Sequence, residues 1–124
     1  RTKFLKGDST LKSTQKLIQE TWPNVNFDII IDDGAHWPKA NLDTFNTLYP
    51  LLKTGGTYFI EDVWPMDKMV SEELKHPWLL KYPDKYNYFE HLKLINKLRK
   101  LELLERDLRK ISKQPDSYVY VISK

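Results

Sequence analysis

Two apolar runs that each stop in a cluster of acids constrain this chain more than any other feature. Phe27-Asp28-Ile29-Ile30-Ile31 leads into Asp32-Asp33-Gly34-Ala35-His36, and Thr57-Tyr58-Phe59-Ile60 leads into Glu61-Asp62. Asp33 and Glu61 stand 28 residues apart, and the stretch between them closes on Lys53-Thr54-Gly55-Gly56. The order is strand, helix, strand. Parallel strands joined by a crossover helix end on one edge of their sheet, and α/β sheets collect ligands at that edge. The acids therefore mark a candidate site.

The rest of the chain extends this pattern. Residues 2–6 read as a short strand that delivers Asp8 into a turn after Gly7. Ser9 or Thr10 can cap a helix to about Glu20, with Leu11, Leu17, Ile18 and Trp22 on its inner side. Residues 27–31 have the near-continuous apolar character of a strand buried on both faces. Pro38 suits a first helical turn, and Leu42, Phe45, Leu48, Tyr49 and Leu52 follow as one apolar stripe up to Gly55-Gly56. Alternation of strand and helix argues for a parallel α/β sheet.

Beyond Asp62 the pattern loosens. Residues 63–83, with Trp64, Pro65, Pro77 and Trp78, read as an irregular loop holding a short helix near Ser71 to Lys75. A helix from about Lys85 to Arg99 is predicted to bury Phe89, Leu92, Ile95 and Leu98. Residues 101–108 either prolong it or form a strand. Residues 117–122 form a terminal strand, and the Gln114-Pro115-Asp116 turn before it favours an antiparallel hairpin.

At 124 residues the chain is one domain, small for a complete α/β enzyme. Hydrophobic residues at 40% and charged residues at 30% exclude a disordered chain. No apolar run approaches the roughly 20 residues of a membrane span. The absence of cysteine excludes disulfides, thiolate catalysis and cysteine-ligated zinc, and suits a cytoplasmic protein. The net charge is only +3, and the basic residues between Lys81 and Lys113 alternate with Glu90, Glu102, Glu105 and Asp107. That mixture describes a solvated surface rather than a nucleic-acid footprint. Neither a nucleic acid nor a membrane is expected as partner.

Asp33, Glu61 and Asp62 offer hard oxygen ligands of the kind that suit Mg²⁺, Mn²⁺ or Ca²⁺. Neighbouring strands about 4.8 Å apart would let them reach one ion. The alternative is that one or two of them cap the following helix or turn. His36, three residues after Asp33, is suited to removing a proton from a hydroxyl, and fits equally as a cap or a metal ligand. His76 and His91 lack such a setting and read as surface residues. Asp8 can accept from an amine of a ligand or cap a helix. Trp37, Trp64 and Trp78 flank the acids, either walling a pocket or simply packing. Lys53-Thr54-Gly55-Gly56 leads into a strand, not a helix, and is no phosphate cradle.

The runs from Phe27 to His36 and from Leu51 to Asp62 resemble class I S-adenosylmethionine-dependent methyltransferases. The branch is that of the metal-dependent sugar O-methyltransferases of macrolide biosynthesis and their cephalosporin-hydroxylase-like relatives. The resemblance implies a Rossmann-like three-layer α/β/α sheet with an antiparallel strand pair at its carboxy-terminal end. It assigns Mg²⁺ to Asp33, Glu61 and Asp62, and the role of base to His36. It places Asp8 at the adenine amino group and Asp32 on the same cofactor, S-adenosylmethionine. It also favours a strand near residues 103–109 over a longer helix.

The family begins with a glycine-rich turn and an acidic residue after its first and second strands, and neither stands in this chain. Its sheet order is 3-2-1-4-5-7-6. Residues 1–124 are therefore expected to be the carboxy-terminal part of such a domain, binding cofactor poorly alone. The expected function is Mg-assisted O-methyl transfer to a small-molecule acceptor, a sugar or similar polyol. Two other readings stay open, a noncatalytic interaction module and a metal-dependent hydrolase on a similar sheet. Self-association into a homo-oligomer stays open as well.

Overall fold

The computed structural model describes residues 2–68 and 75–124. Its elements run α1 (Lys12–Thr21), β1 (Phe27–Asp32), α2 (Pro38–Leu48), a 3₁₀ turn (Tyr49–Leu51), β2 (Leu52–Ile60), α3 (Pro77–Lys81), α4 (Tyr88–Leu98), β3 (Glu102–Asp107), α5 (Arg109–Ser112) and β4 (Tyr118–Ser123). The four strands form one sheet in the order β1-β2-β4-β3. β1 and β2 are parallel, with Ile31 opposite Phe59 and Asp32 opposite Ile60. β4 runs antiparallel to both β2 and β3. This is the 4-5-7-6 portion of the expected order.

Period-two alternation divides the sheet into unlike faces. Ile30, Tyr58, Ile60, Tyr120 and Ile122 share a core with Phe45 of α2 and with Leu94, Ile95 and Leu98 of α4. On the opposite face Ile29 and Ile31 are each 59% exposed, and Leu104 is exposed as well. β1 is thus buried on one face, not two, because among the described residues the helices α2 and α4 pack on one side only. No helix among the described residues is long and apolar enough to cross a membrane.

Four further expectations change. Residues 2–7 form no strand, and Phe4 is 90% exposed. In the order 3-2-1-4 such a strand would stand three places away from β1, with two strands between, so nothing in the sheet offers it a ladder. α1 begins at Lys12 without a side-chain cap, and only Ile18 of its expected inner face is buried. α4 is rotated from the predicted stripe: His91, Leu94, Ile95 and Leu98 are buried, whereas Phe89 is exposed. β2 starts at Leu52 and runs through Gly55-Gly56, so the glycines lie inside a strand instead of ending a helix. The helix expected near Ser71 to Lys75 falls almost wholly outside the described residues.

Gly56 is required there by close approach. A Cβ on it would stand 2.9 Å from the backbone oxygen of Asp28 and 2.8 Å from Leu52 Cδ1. Gly55 adopts a φ of 80° and donates to the carbonyl of Lys124 at 2.6 Å. Together they carry the register shift between β1 and β2.

Candidate active site

The loop ends of β1 and β2 meet at one edge. The Glu61 amide donates to the Asp32 carbonyl at 3.0 Å, holding the two chain exits side by side. Ligand atoms of Asp33, His36 and Asp62 all lie within 4.8 Å of one another. His36 Nε2 stands 3.0 Å from Asp33 Oδ1. Both His36 and Asp62 take up left-handed backbone conformations, with φ of 57° and 49°. Burial first, and then the nearby carboxylates of Asp116 and Asp33, push the Asp62 carboxyl above its ordinary range.

The structure does not bring Glu61 into this cluster.

Asp32, expected at the cofactor, is 5% exposed and lies under α2. Burial raises its pKa to about 6, against a weak hydrogen bond from Asn41 Nδ2 at 3.5 Å. Its Oδ1 would be 2.8 Å from a Cβ on Gly34, so this carboxyl shapes the turn that carries Asp33 and His36.

Asp8 is exposed and accepts from Thr10 N at 2.9 Å and Thr10 Oγ1 at 2.7 Å, bonds that hold its pKa low. It also lines a cleft of about 330 Å³ with Ala35, Trp37 and Lys39, which places it on the same side as His36. The tryptophans separate. Trp37 belongs to that cleft, with Lys85 Nζ 4.4 Å above its ring. Trp64 and Trp78 belong to a second cleft of about 380 Å³, with His76, Tyr86, Gln114 and Asp116.

His91 is not a surface residue but fully buried. Its Nε2 is 3.1 Å from Asp67 Oδ1 and 3.5 Å from the Tyr120 hydroxyl. Asp67 also accepts from Arg99 at 2.6 Å. Lys68, the next residue, pairs with Glu105 and donates to the Tyr118 hydroxyl at 2.8 Å. This network fastens the segment after Glu61-Asp62 to α4, β3 and β4. Sequence reasoning missed it, as it missed Asn41 and Asp116. Asn41 carried one signal, a polar residue on the helix between two apolar core positions, Ala40 and Leu42.

No protein-family model matches the chain. Over 38 residues it is 50% identical to the 8-demethyl-8-(2-methoxy-alpha-L-rhamnosyl)-tetracenomycin-C 3'-O-methyltransferase of Streptomyces olivaceus, covering 31% of this chain and 10% of that protein. Over 38 residues it is 47% identical to the demethylmacrocin O-methyltransferase of Streptomyces fradiae, with the same shares. Among solved structures, the MycE methyltransferase of the mycinamycin pathway in complex with Mg and SAH superposes over 97% of this chain, with a TM-score of 0.58 and 21% identity. The fold is that of a methyltransferase. The chain spans 31% of the solved MycE chain and matches about a tenth of the length of the curated relatives. The similarity to sugar O-methyltransferases expected from the strand-end motifs is thereby found both in sequence and in fold.

Proposed function

We propose that this chain carries the metal-binding and acceptor-handling part of an S-adenosylmethionine-dependent O-methyltransferase acting on a hydroxyl of a sugar or similar polyol. One observation carries the reading: two adjacent parallel strands bring Asp33, His36 and Asp62 to within 4.8 Å. Two carboxylates and an imidazole this close fit a hard divalent cation, since without one the acids oppose each other's ionisation. The relatives' names, which specify O-methyl transfer, and the Mg and SAH of the MycE complex support the same reading. The lack of cysteine suits a cytoplasmic setting.

Asp33 and Asp62 would hold Mg²⁺, with Glu61, next to them at the end of β2 but outside their cluster, as a further carboxylate. When bound, the ion would acidify an acceptor hydroxyl, and S-adenosylmethionine would present an electrophilic methyl group. A carboxylate only accepts, so Asp33 Oδ1 keeps the hydrogen on His36 Nε2 and leaves Nδ1 as the basic nitrogen. Nδ1 would take the proton of the acceptor hydroxyl, leaving its oxygen as the nucleophile for the methyl group that S-adenosylmethionine would supply. Asp33 aligns the ring and steadies the imidazolium that results. Asp8 is assigned to the cofactor through the cleft it shares with Ala35 and Trp37, and Asp32 through the Gly34 turn it supports.

Incubation of this chain, joined to a segment that supplies the family's glycine-rich cofactor turn, with methyl-labelled S-adenosylmethionine, Mg²⁺ and a panel of glycosides tests the reading. Label should pass to a glycoside, stop in EDTA, and fall about 10²–10⁴-fold in His36→Ala. Transfer indifferent to EDTA and to that substitution would contradict it, as would the absence of both cation and S-adenosylhomocysteine binding.

A further inference from the structure

We propose that the buried Asp67–His91 pair is a latch that positions Asp62, so that the grip of the strand-end cluster on a cation depends on a residue of α4. The effect on the cation rests on the metal-site part of the methyltransferase reading; the latch does not.

The left-handed backbone of Asp62, with φ of 49°, is one that a residue with a side chain keeps only where its surroundings fix it. Upstream, β2 and the bond from the Glu61 amide to the Asp32 carbonyl supply one support. Downstream, the Val63 amide donates to the Tyr118 carbonyl at 2.9 Å, and Val63 and Trp64 are buried. The chain then turns, with the Lys68 amide bonded to the Pro65 carbonyl at 2.8 Å. That turn sends two opposite charges to different partners. Asp67 pairs with His91 and Arg99, and Lys68 with Glu105 and the Tyr118 hydroxyl. Asp67 follows Asp62 by five positions, so a fixed Asp67 leaves the left-handed turn little slack.

His91 is fully buried on α4 with Leu94, Ile95 and Leu98, where an apolar residue would lose no hydration. Its Nε2 stands 3.1 Å from Asp67 Oδ1, whereas Nδ1 has no hydrogen-bond partner among the described residues. A carboxylate only accepts, so the ring's single proton sits on Nε2. A second proton would leave an N–H at Nδ1 buried without an acceptor. Asp67 from the turn and Glu105 from β3 favour that proton, while burial and Arg99 beyond α4 oppose it. The Tyr120 hydroxyl of β4 faces Nε2 at 3.5 Å. Burial prevails, and the closed latch holds a neutral imidazole. Below pH 6.5 an opened segment takes up a proton that the closed one refuses, so acid loosens the latch.

Amide hydrogen exchange and Mn²⁺ binding, the latter by electron paramagnetic resonance, test the latch on this chain and on His91→Leu and His91→Gln. Leucine fills the core without a donor; glutamine restores an N–H for Asp67 that does not titrate. At neutral pH, His91→Leu should lower protection of the Val63 amide about tenfold relative to the most protected amides of β2. It should also weaken Mn²⁺ binding about tenfold, as when the competent geometry at Asp62 falls to about a tenth of the population. His91→Gln should restore both. Over the pH unit below 6.5, opening at Val63 should rise by up to about tenfold in the parent and stay flat in His91→Gln. Asp67→Ala removes the acceptor from the turn side and should reproduce the leucine effect, which keeps the test where leucine perturbs the fold. Protection and Mn²⁺ affinity equal in the parent, His91→Leu and Asp67→Ala would overturn the proposal. Lost protection with Mn²⁺ affinity unchanged would overturn the positioning of Asp62 and leave the cation site standing. Lost protection while Mn²⁺ binds none of the proteins, the parent included, removes the cation reading and keeps the latch.

Discussion

His36 and Asp62 occupy left-handed backbone conformations that cost a non-glycine residue about 1–3 kcal/mol, and both belong to the cluster at the strand ends. Strain of that kind persists where a side chain is needed in a particular place. Replacing Asp62 with glycine should leave the denaturation midpoint unchanged or raised while abolishing cation binding. A lowered midpoint with cation binding retained would refute this view of the residue. His91 offers a second test, through pH. Burial lowers its pKa below the ordinary 6.5 despite the opposing pull of Asp67, with Tyr120, Arg99 and Glu105 also facing it. As pH falls below 6.5, the unfolded chain takes up a proton that the folded chain refuses, so stability declines. Asp67, whose pKa is lowered by Arg99 and His91 in spite of burial, adds a further loss as pH falls below 3.8. His91→Gln should flatten the first decline by at most about 1.4 kcal/mol per pH unit, read from urea denaturation midpoints. Equal slopes in the two proteins would contradict the neutral, buried imidazole.

Among the elements, β2 bears the tightest constraint. Gly56→Ala would press a methyl group against the Asp28 carbonyl, which the β1–β2 ladder holds in place. A loss of about 1–3 kcal/mol is expected by chemical denaturation, and Gly55→Ser, with nothing within 4 Å but a φ of 80°, should lose about 1–2 kcal/mol through backbone strain instead of contact. β1, α2, β2 and β4 were legible because each couples a distinct period to a clear boundary, such as Pro38 or the Gln114-Pro115-Asp116 turn. Residues 2–7 misled because strand-like composition cannot supply a ladder partner. α4 misled by phase, since His91 replaced an apolar residue at a core position and Phe89 stood one position off. The nearness of Asp33, His36 and Asp62 was legible, because their positions follow from the strand ends. Asp116 and Tyr86 were not legible, because only tertiary contacts bring them to Trp64.

At the scale of the molecule, one sheet face and the β1 edge are uncovered among the described residues. Ile29 and Ile31 form an apolar edge strand, which invites pairing with another chain. Ile31→Lys should reduce concentration-dependent association in sedimentation velocity; a sedimentation coefficient independent of concentration in both proteins would show that the face does not self-associate. The same open edge is where the order 3-2-1-4-5-7-6 places a further strand, and the chain spans only part of the MycE fold it resembles. The central claim is that the strand ends of this sheet build a cation site for methyl transfer. Its most direct test is a Mn²⁺ titration followed by electron paramagnetic resonance, on the parent chain and on Asp33→Ala and Asp62→Asn. One saturable site, displaced by Mg²⁺ and lost in both variants, is the predicted result. Mn²⁺ that stays free, or binds all three proteins alike, would contradict the account.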